Sequence, residues 1–187
     1  MPRSLRFFGA ALLLGGAFFL SGGCAGRPLT LTTVDGPVFF IPGVPFLQQE
    51  EETCGPSSLA MVLRFLGSRE TTAGLAVETR TEALRGALIT DLSSAAKRRG
   101  FTAEVVDLDL PRLKSRIDAG TPVIMLVDQG IWAYSVPHYL VAFGYTADGF
   151  IVHTGKTSGA VITSRTLDVQ WAKMGRLALV VSQGKKR

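Results

Sequence analysis

The sequence places a cysteine, Cys54, where a polar loop passes into an apolar helix. Unpaired backbone N–H groups in the first turn of a helix carry partial positive charge, and they stabilise the thiolate form of a cysteine. A histidine, His138, opens an apolar strand far downstream. A thiolate that attacks a carbonyl and an imidazole that moves the proton are the groups needed for covalent acyl transfer. The pattern therefore predicts that Cys54 is a nucleophile and His138 its acid–base partner.

The residues around Cys54 fit this chemistry. Gln48 stands six residues before Cys54, and its side-chain amide reaches the same pocket if the loop folds back. Together with the backbone N–H of Cys54, that amide can stabilise the oxyanion formed during acyl transfer. Gly55 lets a substrate backbone approach closely, and Pro56 suits a first helical turn because it lacks an N–H group. The predicted catalytic residues are therefore Cys54, His138 and Gln48.

Residues 1–23 have the pattern of an export signal. Two arginines are followed by an uncharged apolar stretch that is too short and too rich in small residues for a membrane span. Small residues then precede Cys24, which resembles the lipobox of bacterial lipoproteins. We expect cleavage before Cys24, lipid on its sulfur, and a tether at 24–37. The predicted location is the periplasmic face of a bacterial membrane, with the outer membrane favoured because Ala25 follows.

The chain contains two cysteines, and this bears on the state of Cys54. If Cys24 carries lipid, Cys54 has no partner. A lone thiol in an exported protein is better explained as a reactive group than as a structural one. The alternative is an ordinary signal peptide, with Cys24 either incidental or bridged to Cys54.

Apolar periodicity and turn residues predict an α+β domain over residues 38–184, with an extended arm at its start. Predicted helices, with Thr90 as the cap of the third, are 54–66, 71–77, 90–100, 111–120 and a turn at 167–174. Predicted strands are 101–106, 122–127, 138–145, 150–154, 160–163 and 177–182. Helices that crowd the first half and strands that crowd the second favour a helical layer packed on a mostly antiparallel sheet.

The formal net charge of +5 is spread thinly along the chain. The two basic clusters, 97–99 and 185–187, lie at a predicted helix end and in the tail. A basic stripe with interleaved aromatic residues is absent from the sequence, which argues against nucleic-acid binding.

Several motifs together resemble a known family. They are Val-Pro-Phe-Leu-Gln at 44–48, Cys-Gly-Pro-Ser-Ser-Leu-Ala-Met at 54–61 and His-Tyr-Leu-Val at 138–141, with weaker likeness at 144–145, 152–155 and 177–181. Over about residues 44–182 the chain resembles the bacteriocin-processing (double-glycine) cysteine peptidases, which have a papain-like fold, and especially their stand-alone lipoprotein relatives. The resemblance implies peptide-bond hydrolysis after Gly-Gly sites, a thiolate–imidazolium pair, an oxyanion glutamine at Gln48, and neither metal nor cofactor.

The sequence departs from this family at one position. The family usually has an aspartate that orients the histidine, and the matching position here is Thr154. A threonine hydroxyl accepts a hydrogen bond but carries no charge, so it stabilises an imidazolium less well. Asp128 and Asp148 are the nearby carboxylates, although Asp148 is better explained as a turn residue.

Other polar and aromatic residues receive more ordinary interpretations. His153 is expected on the surface, on the opposite side of its strand from Thr154. The acidic run Glu50–Glu52 is expected to be a solvated loop. Trp132 and Tyr134 either line the cleft or pack in the core.

Three functions remain open from the sequence. The first is a membrane-anchored peptidase that acts on a peptide or protein substrate, with any exporter partner unidentified. The second is a papain-like acyltransferase or transpeptidase that uses the same residues. The third is a peptide-binding lipoprotein whose catalytic site has decayed, which the absent aspartate motivates.

Overall fold

The predicted catalytic domain is the part of the chain that the structure describes. The structure is a computed structural model, and it describes residues 38–50, 52–131 and 133–184. The predicted signal peptide and tether, with Cys24, lie outside the described residues, and so does Trp132. Within the described ranges, no helix is both long enough and apolar enough to cross a membrane.

Five α-helices occur in the described residues. Their bounds are α1 (Cys54–Phe65), α2 (Thr72–Thr79), α3 (Ile89–Arg98), α4 (Leu110–Asp118) and α5 (Ser164–Ala172). Asp109 and Thr163 cap α4 and α5, because each side chain accepts a hydrogen bond from a backbone N–H of the first turn. Gly100 follows α3 with a φ of 83°, a left-handed conformation that glycine adopts without strain.

The start of α3 differs from the prediction. Thr90 was predicted to cap this helix, but it is the second helical residue, and its carbonyl accepts a hydrogen bond from the Ser94 hydroxyl at 2.9 Å. Leu88 occupies the cap position, without a side-chain hydrogen bond. The helix therefore begins two residues earlier than predicted, which places the apolar side chain of Ile89 in the core.

The strands form one large sheet and one small hairpin. Their bounds are β1 (Phe39–Phe40), β2 (Arg80–Thr81), β3 (Gly86–Ala87), β4 (Thr102–Asp107), β5 (Val123–Asp128), β6 (Pro137–Tyr145), β7 (Gly149–His153), β8 (Ala160–Thr163) and β9 (Leu177–Ser182). The large sheet has the order β4-β9-β5-β6-β7-β8, with β1 paired to the end of β6. Each pairing is antiparallel, which confirms the predicted α+β class.

Both faces of the sheet are covered, which goes beyond the single helical layer predicted. Helices α1 and α3 pack on one face and α4 and α5 on the other. Strand β5 shows the division, since Ile124 belongs to the core under α1 while Met125 belongs to the core under α4 and α5. Burial on two sides explains why β5 is a nearly continuous apolar run. It also makes β5 and its neighbour β6 a rigid support for His138.

Candidate active site

Cys54 lies at the first position of α1, where the chain leaves a tight turn. In that turn the backbone N–H of Glu50 donates to Thr53 Oγ1, and the Thr53 hydroxyl donates to the carbonyl of Glu50, both at 3.0 Å. The helix is buried from Gly55 to Leu63, so its start is fixed to the core. Cys54 is a free thiol and lines an open groove.

Gly55 is required by packing at the start of α1. A Cβ at this position would lie 3.1 Å from Ala87 Cβ, 3.2 Å from a ring carbon of Tyr139 and 3.3 Å from Leu92 Cδ1. Gly55 is also buried, so these three contacts by themselves account for a glycine at this position. Its small size lets α1 approach Tyr139, the neighbour of His138 on β6.

Glu52 fixes the loop that precedes Cys54. Its carboxylate accepts hydrogen bonds from Arg80 and, at 2.6 Å, from Arg85, on the β2–β3 hairpin. The side chain is only 18% exposed, and its backbone φ of 62° is rarely adopted by residues other than glycine. The prediction of a fully solvated acidic loop was therefore wrong at Glu52. Sequence patterns could not reveal these contacts, because strands of two residues carry no periodic signal.

His138 is the second residue of β6, beside Val127 of β5. Its Nε2 lies 2.7 Å from the backbone carbonyl of Thr154. Because a carbonyl can only accept, Nε2 carries a proton, and Nδ1 is the nitrogen left to face Cys54. The side chains of Cys54 and His138 line the same groove, and each shifts the pKa of the other. The structure thus brings the two residues together from opposite halves of the sequence.

The surroundings of the pair favour its charged form. Burial by itself raises the pKa of Cys54, but hydrogen bonds from His138 and from the backbone N–H groups of Tyr139 and Gly55 outweigh it, and the pKa falls below its ordinary value. Burial by itself lowers the pKa of His138, but hydrogen bonds with Cys54 and with the Thr154 carbonyl outweigh it, and the pKa rises. A lowered pKa for the thiol and a raised pKa for the imidazole mean that the thiolate–imidazolium pair is stabilised.

Thr154 contacts His138 through its backbone and not through its hydroxyl. The hydroxyl instead accepts a hydrogen bond from the N–H of Thr157 at 3.0 Å, which closes the turn after β7. Of the groups that could orient the imidazole, the Thr154 hydroxyl is therefore excluded, and the Thr154 carbonyl makes the contact. A backbone carbonyl is present at every residue type, so the contact between this carbonyl and His138 could not be predicted from residue types.

The two nearby carboxylates have structural roles. Asp128 is 7% exposed, and its Oδ1 accepts from the N–H groups of Gly130 and Val136, at 2.7 and 2.8 Å, in the loop between β5 and β6. Asp148 lies in the β6–β7 turn, where its N–H donates to Thr146 Oγ1. Neither replaces the aspartate that the family usually has.

Replacing Thr154 with valine should therefore change kcat/KM for peptide cleavage by less than about threefold, since the carbonyl that holds His138 is kept. Steady-state kinetics on the purified variant measure this effect, and Thr154→Ser is the matched control that retains the hydroxyl. A loss of about 100-fold in the valine variant alone would show that the hydroxyl has a catalytic role.

The groove beside the pair, of about 490 Å³, is lined by charged and polar residues. The residues are Gln49, Glu50, Glu52, Cys54, Arg85, Pro137, His138 and Lys156. Gln49 Nε2 lies 3.4 Å from both the carbonyl of Cys54 and the hydroxyl of Ser58. Gln48, the predicted oxyanion residue, has an exposed side chain and does not line this groove. Sequence reasoning could locate a glutamine here, but it could not decide between two adjacent ones.

His153 is buried, contrary to the prediction that it lies on the surface. It is 3% exposed, with its ring 4.3 Å from the ring of Phe143 and 5.4 Å from that of Phe46. The N-terminal arm (residues 38–49) covers this side of β7, which the pattern of β7 itself does not reveal. Tyr134, in contrast, is 81% exposed and so does not pack in the core.

Comparison with known proteins now identifies the family. Residues 44–186 match the peptidase C39 family over most of the chain. The chain belongs to the peptidase C39 family. This C39 peptidase is a cysteine peptidase, which confirms the predicted enzyme class and the resemblance to bacteriocin-processing peptidases.

It is 29% identical over 136 residues to the pediocin PA-1 transport/processing ATP-binding protein PedD of Pediococcus acidilactici. The match covers 72% of the C39 peptidase and 18% of that much longer relative.

Solved structures show the same fold. A C39-like peptidase from Bacillus anthracis superposes with a TM-score of 0.68 at 18% identity, over 80% of this C39 peptidase and 100% of that chain. The peptidase domain of Streptococcus ComA, a bifunctional ABC transporter involved in a quorum-sensing pathway, superposes with a TM-score of 0.63 at 22% identity. The match covers 75% of this C39 peptidase and 98% of that chain. A double-glycine motif protease from an AMS/PCAT transporter, solved in complex with the leader peptide, superposes with a TM-score of 0.60 at 20% identity. The match covers 74% of this C39 peptidase and 90% of that chain.

Proposed function

We propose that this C39 peptidase hydrolyses peptide bonds through Cys54 and His138. The observation that carries the proposal is that the thiol of Cys54 and the imidazole of His138 line one groove, with His138 Nε2 held by the Thr154 carbonyl so that Nδ1 is free for the thiol. In keeping with this, the pKa of the thiol is lowered and that of the imidazole is raised. A thiolate at a helix start that also faces a groove can reach a peptide carbonyl. These features favour an active site over a decayed one, because a thiol with a lowered pKa beside an imidazole is typical of catalytic sites.

The reaction then proceeds in two steps. Cys54 Sγ attacks the carbonyl carbon, and the tetrahedral intermediate collapses to a thioester when the amine leaves with a proton from His138. His138 next removes a proton from water, the water attacks the thioester, and the carboxylic acid leaves as the Cys54 thiolate is restored. The Thr154 carbonyl holds the imidazole in one orientation throughout.

We assign the oxyanion donor to the backbone N–H of Cys54 together with Gln49, in place of Gln48. Gln49 lines the groove, and its two hydrogen bonds are long, at 3.4 Å. Its Oε1 is buried without a hydrogen-bond partner among the described residues, so rotation of the amide would break only the two long hydrogen bonds of Nε2. An amide in this position can turn toward a developing negative charge on the substrate.

Gln49→Ala should lower kcat by about 100-fold, the usual loss for removal of one oxyanion donor, with a smaller change in KM. Gln48→Ala is the matched control, because it removes the same side chain one residue away, and it should stay within about threefold of the wild type. Steady-state cleavage kinetics measure both. If the large loss occurs in the Gln48 variant instead, the original assignment to Gln48 is correct.

The substrate class and location are also proposals. The PedD and AMS/PCAT relatives are named for transport, processing and a double-glycine motif, which supports a peptide substrate with a Gly-Gly site. The lipobox-like sequence before Cys24 supports a lipid anchor, with the domain facing the periplasm from the outer membrane. Fatty-acid labelling that depends on Cys24 checks the anchor.

Cleavage of a Gly-Gly peptide, followed by mass spectrometry, tests the hydrolase directly. Added amine acceptors test the acyltransferase alternative, because a transferase would give an amide product in place of the free acid. The pH dependence of iodoacetamide alkylation tests the decayed-site alternative. An inflection near 8.5, the value of an ordinary thiol, together with no cleavage, would refute the peptidase proposal.

A further inference from the structure

The imidazole of His153 is hydrogen-bonded on both sides in the interior. The backbone N–H of Gly159 donates to its Nδ1 at 3.2 Å, and Ser158 Oγ lies 3.5 Å from the same nitrogen. Its Nε2 lies 3.2 Å from the carbonyl of Val44. Since Nδ1 accepts from an N–H group it carries no proton, and Nε2–H donates to the carbonyl. These contacts require the neutral ring in a single tautomer.

The two partners of His153 belong to segments that hold catalytic groups. Gly159 ends the β7–β8 loop (residues 154–159), whose first residue, Thr154, accepts the hydrogen bond from His138. Val44 belongs to the N-terminal arm, which continues to Gln49 at the groove. His153 therefore joins the segment that orients the imidazole to the segment that carries the candidate oxyanion amide.

The arm and the loop also meet at a second point. The N–H of Gln49 donates to the carbonyl of Gly155 at 2.9 Å. The side chain of Gln49 packs directly against Gly155, where a Cβ would overlap it, and the φ of Gly155 is 86°. The backbone position of Gly155 therefore fixes where Gln49 lies. A shift of the loop would move Thr154 and Gln49 together.

Neighbours of His153 keep its ring uncharged. Those with contacts to the ring come from the arm (Val44 and Phe46), from β6 (Phe143) and from the loop (Ser158 and Gly159), and none of them titrates. Burial lowers the pKa of His153, and the Val44 carbonyl offsets this only in part. A second proton would place an N–H group on Nδ1 opposite the N–H of Gly159, which breaks the contact with the loop.

We propose that His153 is a positioning residue of the peptidase, whose neutral imidazole ties the N-terminal arm to the β7–β8 loop and thereby holds Thr154 against His138 and Gln49 in the groove. This inference rests on the proposed function. It assigns a role to a residue that touches neither the sulfur nor the reacting imidazole, and acts only through Thr154 and Gln49.

His153→Phe tests the role, because the new ring can stay among Phe46 and Phe143 but cannot make either hydrogen bond. We expect kcat to fall about 10- to 100-fold with KM changed less than about threefold, since misplacement of catalytic groups has effects of this size. We also expect the inflection in the alkylation rate of Cys54 to rise by about one pH unit, because His138 loses part of its support. Ile117→Val, a core change in α4 on the opposite face of the sheet from Cys54, is the matched control for lowered stability alone.

A folded His153→Phe protein with the kcat and alkylation profile of the Ile117→Val control overturns the inference. If the phenylalanine variant does not fold, ¹⁵N NMR of the unaltered chain decides, since it contains two histidine rings. We expect the neutral Nε2–H tautomer of His153 at neutral pH. An Nδ1–H tautomer or a charged ring would refute the proposed link between the N-terminal arm and the β7–β8 loop. If Cys54 of the wild type alkylates like an ordinary thiol, the proposed function fails instead, so the two failures are distinct.

Discussion

Cys54→Ala is expected to lower kcat/KM for peptide cleavage by at least about 10³-fold and to abolish alkylation at the groove. The thioester cannot form without the sulfur, so only binding and oxyanion stabilisation remain. The fold should survive, because Cys54 is at the first position of α1 and is not bridged. Cleavage kinetics, iodoacetamide labelling and a thermal melt measure the three effects.

Cys24→Ala is the matched control, because it removes the only other cysteine of the chain. It should keep full cleavage activity and full alkylation of Cys54. Persistent hydrolysis in the Cys54→Ala protein, at more than a few per cent of the wild-type rate, would exclude Cys54 as the nucleophile and with it the mechanism given above.

His138→Ala is expected to lower kcat/KM by about 10³-fold while the thiol remains chemically present. Loss of the imidazole removes both the proton carrier and the main partner that lowers the pKa of Cys54. The alkylation inflection should therefore rise toward the ordinary value of about 8.5, or above it, because burial now acts with less opposition. Tyr134→Ala, which removes an exposed ring ahead of the same strand, is the matched control and should leave both readouts unchanged.

The pH profile of the wild type follows from the same two shifts. The thiol of Cys54 has a lowered pKa and the imidazole of His138 a raised one, so the charged pair exists between the two values. The cleavage rate should rise as pH increases through the lower value, when the thiolate forms. It should fall as pH increases through the upper value, when the proton needed by the leaving amine is lost. In the His138→Ala protein the lower limb should move to higher pH, and an unmoved limb would show that another group activates Cys54.

Sequence patterns were sufficient to place Cys54 at the start of a helix and His138 near the start of a strand. Cys54 stands at a polar-to-apolar boundary that specifies a helix start, and His138 opens a run of apolar residues that specifies a strand. The regular elements were predictable for the same reason, because β6 and α1 bury continuous apolar surfaces. What these patterns do not contain is the distance between elements.

The remaining features depend on tertiary contacts that have no local signal. The carbonyl of Thr154 is a backbone group, so its contact with His138 cannot be predicted from the type of residue at this position. His153 is buried because the arm, more than a hundred residues earlier in the chain, lies over it. The exposed Gln48 and the groove-lining Gln49 differ only in how the arm is turned, which the contact with Gly155 decides.

Cys54 and His138 are far apart along the chain, so the two side chains come together only when the domain has folded. A polypeptide that has not yet folded holds its thiol far from any imidazole and from any ordered helix dipole, with an ordinary acidity that leaves it mostly protonated near neutral pH. An unfolded chain therefore has little thiolate with which to attack a peptide bond. In the mechanism proposed above, activity requires the complete sheet, and unfolding of the sheet would abolish it.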